Sequence, residues 1–407
     1  MNILFMTLGR MEDVEEHTIY CDLLRCFRDA GHLVYTISPY EKRTGRQTTC
    51  EEKNGIHMLH VRTGNVTGVA GLIEKGLAQL SIEPIFIKAI KKYYSDIKFD
   101  LVMYSTPPIT FCNAIEFVKK RDGAKTYLLL KDIFPQNAVD LGMMTKTGAK
   151  GFIYKYFRAK EKKLYALSDH IGCMSKANVQ YMIDHDPEID PKKIEISPNS
   201  VEVADRSVDA ATRARIREKY GIPQDKTVFV YGGNLGKPQG IPFLIACLKQ
   251  CCDREDTFFL IVGGGNEYGK LKAFVDAEGL ERVKLLSLLP KEDYDTMVGA
   301  CDIGLIFLDH RFTIPNFPSR LLAYLQAKLP VLAATDSHTD IGKIIVDGGF
   351  GWWCESNSVE DFGRAIKESM NADLKAMGEK AFRYLDEVWN VKKQYADMAK
   401  SLGWIKD

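Results

Sequence analysis

The chain has 407 residues, too many for one ordinary hydrophobic core, so two or three domains are expected. Hydrophobic residues make up 45% and charged residues 27%, the balance of a globular chain rather than a disordered one. With 55 Lys and Arg against 54 Asp and Glu, the net charge of +1 gives no reason to expect a nucleic-acid partner. No apolar run reaches the roughly 18 residues of a membrane span. Residues 1–6 are apolar, but no cation precedes them and they are too short for a signal-peptide core. They read as a buried first strand of a cytoplasmic protein. The ten cysteines include no C-x-x-C pair, so free thiols in a reducing compartment are expected.

In chain order, residues 2–7 read as a strand and residues 17–30 as a helix, with Ile19, Leu23, Leu24 and Phe27 at helical spacing and Gly31 as its stop. Residues 33–38, 100–104 and 125–130 are further short apolar runs, separated by helical stretches. Strand and helix alternating at this spacing predict a parallel sheet covered on both faces. Residues 188–206, which follow Pro187 and include Pro191 and Pro198, break the pattern and read as an interdomain connection. Alternation then restarts, with strands expected at 227–231, 257–262, 283–287, 303–307 and 331–334. Residues 374–407 read as helical, with Met377, Phe382, Leu385 and Trp389 on one face. Two doubly wound α/β domains in tandem are expected, and such sheets bind ligands beyond the carboxyl ends of their strands.

That rule directs attention to the loops after the strands. Gly233-Asn-Leu-Gly-Lys-Pro-Gln-Gly240 joins a strand to a helix. Its glycines let the backbone approach a phosphate, Lys237 supplies a cation, and Asn234 and Gln239 supply amides. A tight structural turn is the plainer alternative. Val262-Gly-Gly-Gly-Asn-Glu-Tyr268 is a second glycine turn, containing Gly264 and Asn266, and it matches neither a Walker A loop nor G-x-G-x-x-G. A proline-rich loop after residue 309 meets a helix near Pro318-Ser319-Arg320. Arg320 can hold two phosphate oxygens at once, while Ser319 alone would be an ordinary cap. In the first half, Asp132 follows a strand, as do Ser105-Thr-Pro-Pro108 and the trio Glu15, Glu16 and His17. Asp132 suits hydroxyl binding, although an Asp bonding nearby backbone fits the local chemistry equally. No metal-ligand cluster is visible in the sequence.

Residues 146–167 carry seven cations (Lys146, Lys150, Lys155, Arg158, Lys160, Lys162 and Lys163) against the single acid Glu161. On a helix, Phe152, Ile153, Tyr156, Phe157, Leu164 and Leu167 share an arc, with Lys155, Arg158 and Lys162 opposite. Such a helix either rests on anionic lipid or packs its aromatics on the sheet.

Across most of its length the chain resembles the GT-B glycosyltransferases of family 4. Within them it is most similar to the L-fucosamine transferases of O-antigen and capsule synthesis. The resemblance rests on Glu16-His-Thr-Ile-Tyr20, Gly31-His32, Ser105-Thr-Pro-Pro108, Lys131-Asp-Ile-Phe-Pro135, Gly233-Asn-Leu-Gly-Lys-Pro-Gln-Gly240 and Pro318-Ser-Arg320. It implies two Rossmann-like domains facing a central cleft: an acceptor side at 1–200, a nucleotide-sugar side at 201–385, and a helix at 386–407 returning to the first. It also implies a retaining, metal-independent transfer of a sugar, such as an N-acetylated amino sugar, from a nucleotide-diphosphate donor, UDP, to a polysaccharide or lipid-linked acceptor. No cofactor is implied, and peripheral contact with the inner face of the cell membrane is.

Loops and resemblance together name Asp132, Lys237 and Arg320 as catalytic. They give Gly233, Asn234, Gly236, Gln239, Gly264, Asn266 and Ser319 to the donor, and Glu16, His17, Ser105 and Pro107 to the acceptor side. The chain departs from the family's pattern in three places. Asn234 and Gln239 stand where an Arg and a Lys are typical, Pro315 and Ala323 where two glutamates are, and Leu8-Gly9-Arg10 replaces a Gly-Gly loop. A nucleotide-sugar epimerase of the same fold, or a binding homologue with weak catalysis, therefore stays open.

Overall fold

The structure, a computed structural model, describes residues 1–9, 11–66, 72–251 and 254–405, with the backbone alone for residues 72–80. Arg10, in the loop that replaces Gly-Gly, and Cys252, one of the ten cysteines, lie outside the described residues. The chain divides into two compact units, Met1–Glu202 with Val391–Asp407, and Val203–Asn390.

The first unit holds β1 (Asn2–Met6), β2 (Leu33–Glu41), β3 (Thr49–Lys53), β4 (Ile56–Thr63), β5 (Leu101–Ser105), β6 (Lys125–Leu130), β7 (His170–Cys173) and β8 (Ile194–Ile196). They form one sheet in the order β3-β4-β2-β1-β5-β6-β7-β8, parallel except for β3. The strands β1, β5 and β6 are near-continuous apolar runs because helices cover both faces of a parallel sheet. The order reverses between β1 and β5. In a doubly wound sheet that reversal opens the ligand crevice, and it selects the loops after β1 and β5.

Four elements escaped the sequence reading here, each for a physical reason. The sequence of β3 is Thr-Cys-Glu-Glu-Lys; it is an exposed edge strand whose charges discourage pairing with another chain. In β4 the apolar alternation is interrupted by His57, His60 and Arg62. The strands β7 and β8 have only four and three residues. As a correction to the interdomain reading of residues 188–206, β8 belongs to the first unit's sheet, beside β7.

The second unit holds β9 (Thr227–Asn234), β10 (Thr257–Gly264), β11 (Val283–Leu286), β12 (Ile303–Phe307), β13 (Val331–Thr335) and β14 (Gly351–Glu355). All are parallel, in the order β11-β10-β9-β12-β13-β14. This is the dinucleotide-fold order, with its switch point between β9 and β12. The core beneath it stacks Phe229 on Phe259 at 5.2 Å and gathers Leu244, Cys247, Phe362 and Ile366. A fully buried Phe of this kind contributes about 1.5–3 kcal/mol.

The expected helical stretch 374–407 is two helices, Leu374–Val388 and Val391–Ser401. They part because their apolar residues serve different cores. Trp389 is buried against Phe317 and Tyr384 in the second unit. Val391, Met398 and Leu402 enter the core of the first. There the last helix packs on helix Ile19–Asp29, with Tyr395 edge-on to Phe27 at 5.0 Å. Gln394 fixes the outgoing chain by donating to Ser197 Oγ and Pro198 O, each at 2.9 Å.

Candidate functional site

At the first unit's switch point, Ser105 ends β5 and is buried, near Tyr20. Pro107 is exposed in the loop that follows. Glu16 and His17 are exposed before helix Ile19–Asp29, whose cap is Thr18, so neither acid at 15–16 is a first-turn residue. Arg28 Nη1 binds Glu15 at 2.7 Å. Arg25 is the organising cation. Its Nη2 meets Asp22 Oδ1 at 2.6 Å and Glu202 Oε2 at 2.9 Å, with His17 Nδ1 at 3.4 Å. Among the described residues, His17, Asp22 and Glu202 form the single group with the reach to hold a metal ion. The Arg25 guanidinium already occupies the charge centre of that group, which makes it a poor cation site.

Beside this point, the end of β6 places Lys131 and Asp132. The Thr106 hydroxyl knots the two backbones: Lys131 N and Asp132 N donate to it at 3.0 and 3.1 Å, and it donates to Asp132 O at 2.9 Å. Both Asp132 oxygens accept from Asn137 Nδ2, at 2.9 and 2.8 Å. Burial pushes the Asp132 carboxyl up to about 6, with the amide of Ile133 and Asn137 working the other way. Burial pushes the Lys131 ammonium down to about 7, and it donates a hydrogen bond to Ser197 O at 3.1 Å. Asp132 is thus an oriented carboxylate, suited to accepting from a hydroxyl.

In the second unit the two glycine turns become one surface. Parallel pairing sets Gly233 opposite Gly263 and Asn234 opposite Gly264. Leu235 N donates to Gly264 O, and Glu267 N to Leu235 O, both at 2.9 Å. The turns lie so close that a Cβ at Gly263 would collide with the Gly233 carbonyl, and one at Gly265 with that of Leu235. The weak second motif thereby gains its meaning from register with the first. Gln239 Oε1 accepts from Gly236 N at 3.1 Å and lies 3.4 Å from Asn234 Nδ2. Asn266 Oδ1 faces Gly236, 3.3 Å from where its Cβ would stand. Lys237, Asn234 and Asn266 are exposed on this surface.

The loop after β12 closes on the same turn, since Asp309 N donates to Pro238 O at 2.9 Å. Its carboxylate is neutralised by Arg311 at 2.9 and 2.7 Å. Ser319 is exposed and makes no capping bond, and helix Arg320–Gln326 is short. Arg320 reaches beneath Gly233, its guanidinium 3.8 Å from where a Cβ there would stand, and 4.4 Å over the Tyr231 ring. Its Nη1 is sealed from solvent and without a hydrogen-bond partner. Among the described residues no carboxylate pairs with it. The sequence reading found Arg320 but missed the tyrosines around it, which look like core residues at helical and strand spacing.

Helix Gly151–Leu167 does not present the apolar arc expected for residues 146–167 to the sheet. Its buried face is Glu161, Leu164 and Tyr165. Phe152, Ile153 and Tyr156 are exposed, at 68%, 38% and 43%, so they do not pack on the sheet. Arg158 is no free basic residue either: it pairs with Glu161 and with Asp186, at 2.5 and 2.6 Å. Lys162 binds Glu188 at 2.6 Å. The exposed cations beside the apolar patch are Lys146, Lys150 and Lys155. Phe157 turns inward and meets Phe134, in the Asp132 loop, at 5.1 Å.

Residues 212–383 match the family of glycosyl transferases group 1. The chain is 26% identical over 309 residues to a probable glycosyltransferase, WbjE, of Pseudomonas aeruginosa, covering 75% of this chain and 74% of that protein. Among solved structures it is similar to a sucrose-phosphate synthase from Thermosynechococcus elongatus, at a TM-score of 0.78 and 14% identity over 99% of this chain and 98% of that one. It is also similar to Anabaena Alr3699/HepE, solved in complex with UDP and glucose, at a TM-score of 0.73 and 15% identity over the whole of both chains. The fold is GT-B, with two parallel-sheet Rossmann-like units.

Proposed function

We propose that this chain, a GT-B protein carrying a glycosyl transferase group 1 domain over residues 212–383, is a retaining, metal-independent glycosyltransferase of surface-polysaccharide assembly. Its donor is a UDP-sugar, in our reading an N-acetylated amino sugar, and its acceptor a lipid-linked glycan at the inner face of the cell membrane. The observation that carries the donor reading is Arg320, beneath paired glycine turns: its guanidinium Nη1 is buried and, among the described residues, it has no carboxylate partner. A cation held this way lacks its counter-charge, and a diphosphate supplies it with charge-assisted, bidentate bonds.

The chemistry assigned is a front-face substitution. The bond from the sugar's anomeric carbon to the diphosphate oxygen breaks, and a bond to the acceptor oxygen forms on the same face. The leaving diphosphate takes the acceptor's proton. Arg320 and Lys237 stabilise the charge that develops on that leaving group, the preorganised electrostatic role that usually dominates such steps. Asp132 orients an acceptor or sugar hydroxyl.

The exposed Phe152, Ile153 and Tyr156, flanked by Lys150 and Lys155, support the membrane part of the reading. Aromatics settle at a lipid interface, and each nearby cation adds about 1 kcal/mol on anionic headgroups. The test is transfer itself. Purified protein, a panel of UDP-sugars and lipid-diphosphate acceptors are incubated, and the product's anomeric configuration is read by NMR. Retained configuration in a glycosylated acceptor supports the proposal. Conversion of the nucleotide sugar alone to its epimer would replace it.

A further inference from the structure

The surroundings of Arg320 are aromatic where acids would be expected. Tyr231 ends the apolar part of β9, Tyr294 lies on helix Lys291–Gly299, and Tyr324 lies on helix Arg320–Gln326. All three lie near the guanidinium, which stands 4.4 Å from the centre of the Tyr231 ring. Each phenol is also tied to the glycine turn. Tyr231 donates to Asn234 O at 2.9 Å. Tyr324 donates to Leu305 O at 3.1 Å and accepts from Gly232 N at 3.2 Å. The Tyr294 hydroxyl fills the space where a Cβ at residue 232 would stand, so only glycine fits there.

A buried arginine needs something to hold it, and the choice has consequences. A carboxylate would hold Arg320 firmly but cancel its charge and occupy its fork. A ring face attracts the cation through its quadrupole and brings no net negative charge. Its donors stay available. We infer that Tyr231 is a positioning residue whose ring keeps Arg320 in place and un-neutralised for a ligand of the diphosphate class. This rests on the reading that the donor's diphosphate binds at Arg320.

The experiment titrates the full-length protein with inorganic pyrophosphate in metal-free buffer by calorimetry, using a double-mutant cycle. Arg320→Gln and Tyr231→Leu are each expected to weaken binding about tenfold. Tyr231→Phe, which keeps the ring, stays within about twofold. In the double variant Tyr231→Leu/Arg320→Gln the Tyr231 change adds nothing to the Arg320 change, because the ring acts only through the guanidinium. Additive losses, or equal losses in Tyr231→Phe and Tyr231→Leu, would overturn the inference. So would tight binding in Tyr231→Leu with loss in Arg320→Gln, and the donor-site reading would then stand. Indifference to Arg320→Gln would remove the donor-site reading itself. Urea midpoints verify folding, and Tyr231→Met carries the same expectation if the leucine variant does not fold.

Discussion

The two units solve the same topological problem and arrive at opposite electrostatics. Each opens a crevice where its strand order reverses, between β1 and β5 in one and between β9 and β12 in the other. In the first, Arg25 and Asp132 have side-chain partners, and the Lys131 ammonium donates to the Ser197 carbonyl. Arg25 is shared by Asp22 and Glu202, and Asp132 is held by Asn137. In the second, Arg320 has no counter-ion among the described residues, and the turn above it is built of glycine. A paired and hydrogen-bonded surface reads neutral hydroxyls, since an incoming charge would have to displace a partner. An unpaired cation beside bare backbone waits for an anion. The difference supports the proposal that the first unit does acceptor work and the second does donor work.

The largest effect expected from this division is at Asp132. Asp132→Asn should lower the transfer rate about 100-fold, within the range for a positioned hydroxyl-binding carboxylate, and leave donor affinity alone. The wild-type rate should also fall as pH drops below about 6, where burial lets this carboxyl take up its proton. Steady-state rates between pH 5 and 8 check both. A pH profile unchanged in Asp132→Asn would remove Asp132 from the reaction.

Next in size is the surface of helix Gly151–Leu167. Replacing Phe152 and Ile153 by Ser should weaken sedimentation with anionic vesicles about tenfold or more, since each buried apolar side chain is worth about 1.5–3 kcal/mol. Reversing Lys150 and Lys155 should weaken it in low salt and less so at high ionic strength. Arg158 is a poor choice for this test, because its ion pairs with Glu161 and Asp186 hold the helix in place. Vesicle binding equal to wild type in both variants would contradict the membrane reading.

A smaller effect concerns stability. The Lys131 ammonium is pushed down to about 7 by burial, against 10.5 in its ordinary state. Between those values the unfolded chain holds a proton that the folded chain lacks, so stability rises with pH across that window. The cost of burying the charge is complete below about pH 7. Lys131→Met should therefore raise the melting temperature at pH 6, by about 2–4 °C for each kcal/mol relieved, and raise it less at pH 9. A larger gain at pH 9 would reverse the sign of the argument. Last comes an effect of zero: transfer should be the same with a chelator as without. Loss restored by magnesium or manganese would contradict the metal-independent mechanism.

How much of this was legible beforehand follows from which forces leave a local trace. The apolar runs of β1, β5, β6, β9 and β12 announce a parallel sheet because burial on both faces demands them. The glycine turn after β9 is equally visible, since a close backbone approach admits little else. The edge strand β3 left no trace, because its stability comes from pairing with β4 rather than from burying its own side chains. The role of Gly264 emerged only through its register with Asn234, a long-range fact. Tyr231, Tyr294 and Tyr324 read as plain core residues, because a cation held on ring faces has no spacing rule in the sequence. The exposed aromatics of residues 152–156 were assigned to one arc with Leu164, yet the buried face turned out to include Glu161 and Tyr165, stitched by Arg158. Periodicity measures apolar residues and is blind to a buried ion pair.

The division of labour between the units is tested most directly by one calorimetric comparison, the binding of UDP to wild type, Arg320→Ala and Asp132→Asn. The account expects Arg320→Ala to weaken UDP by about 1–3 kcal/mol, the range of hydrogen bonds to a charged group, and Asp132→Asn to bind UDP as wild type does. Unchanged affinity in Arg320→Ala, or a loss in Asp132→Asn as large as that in Arg320→Ala, would contradict it.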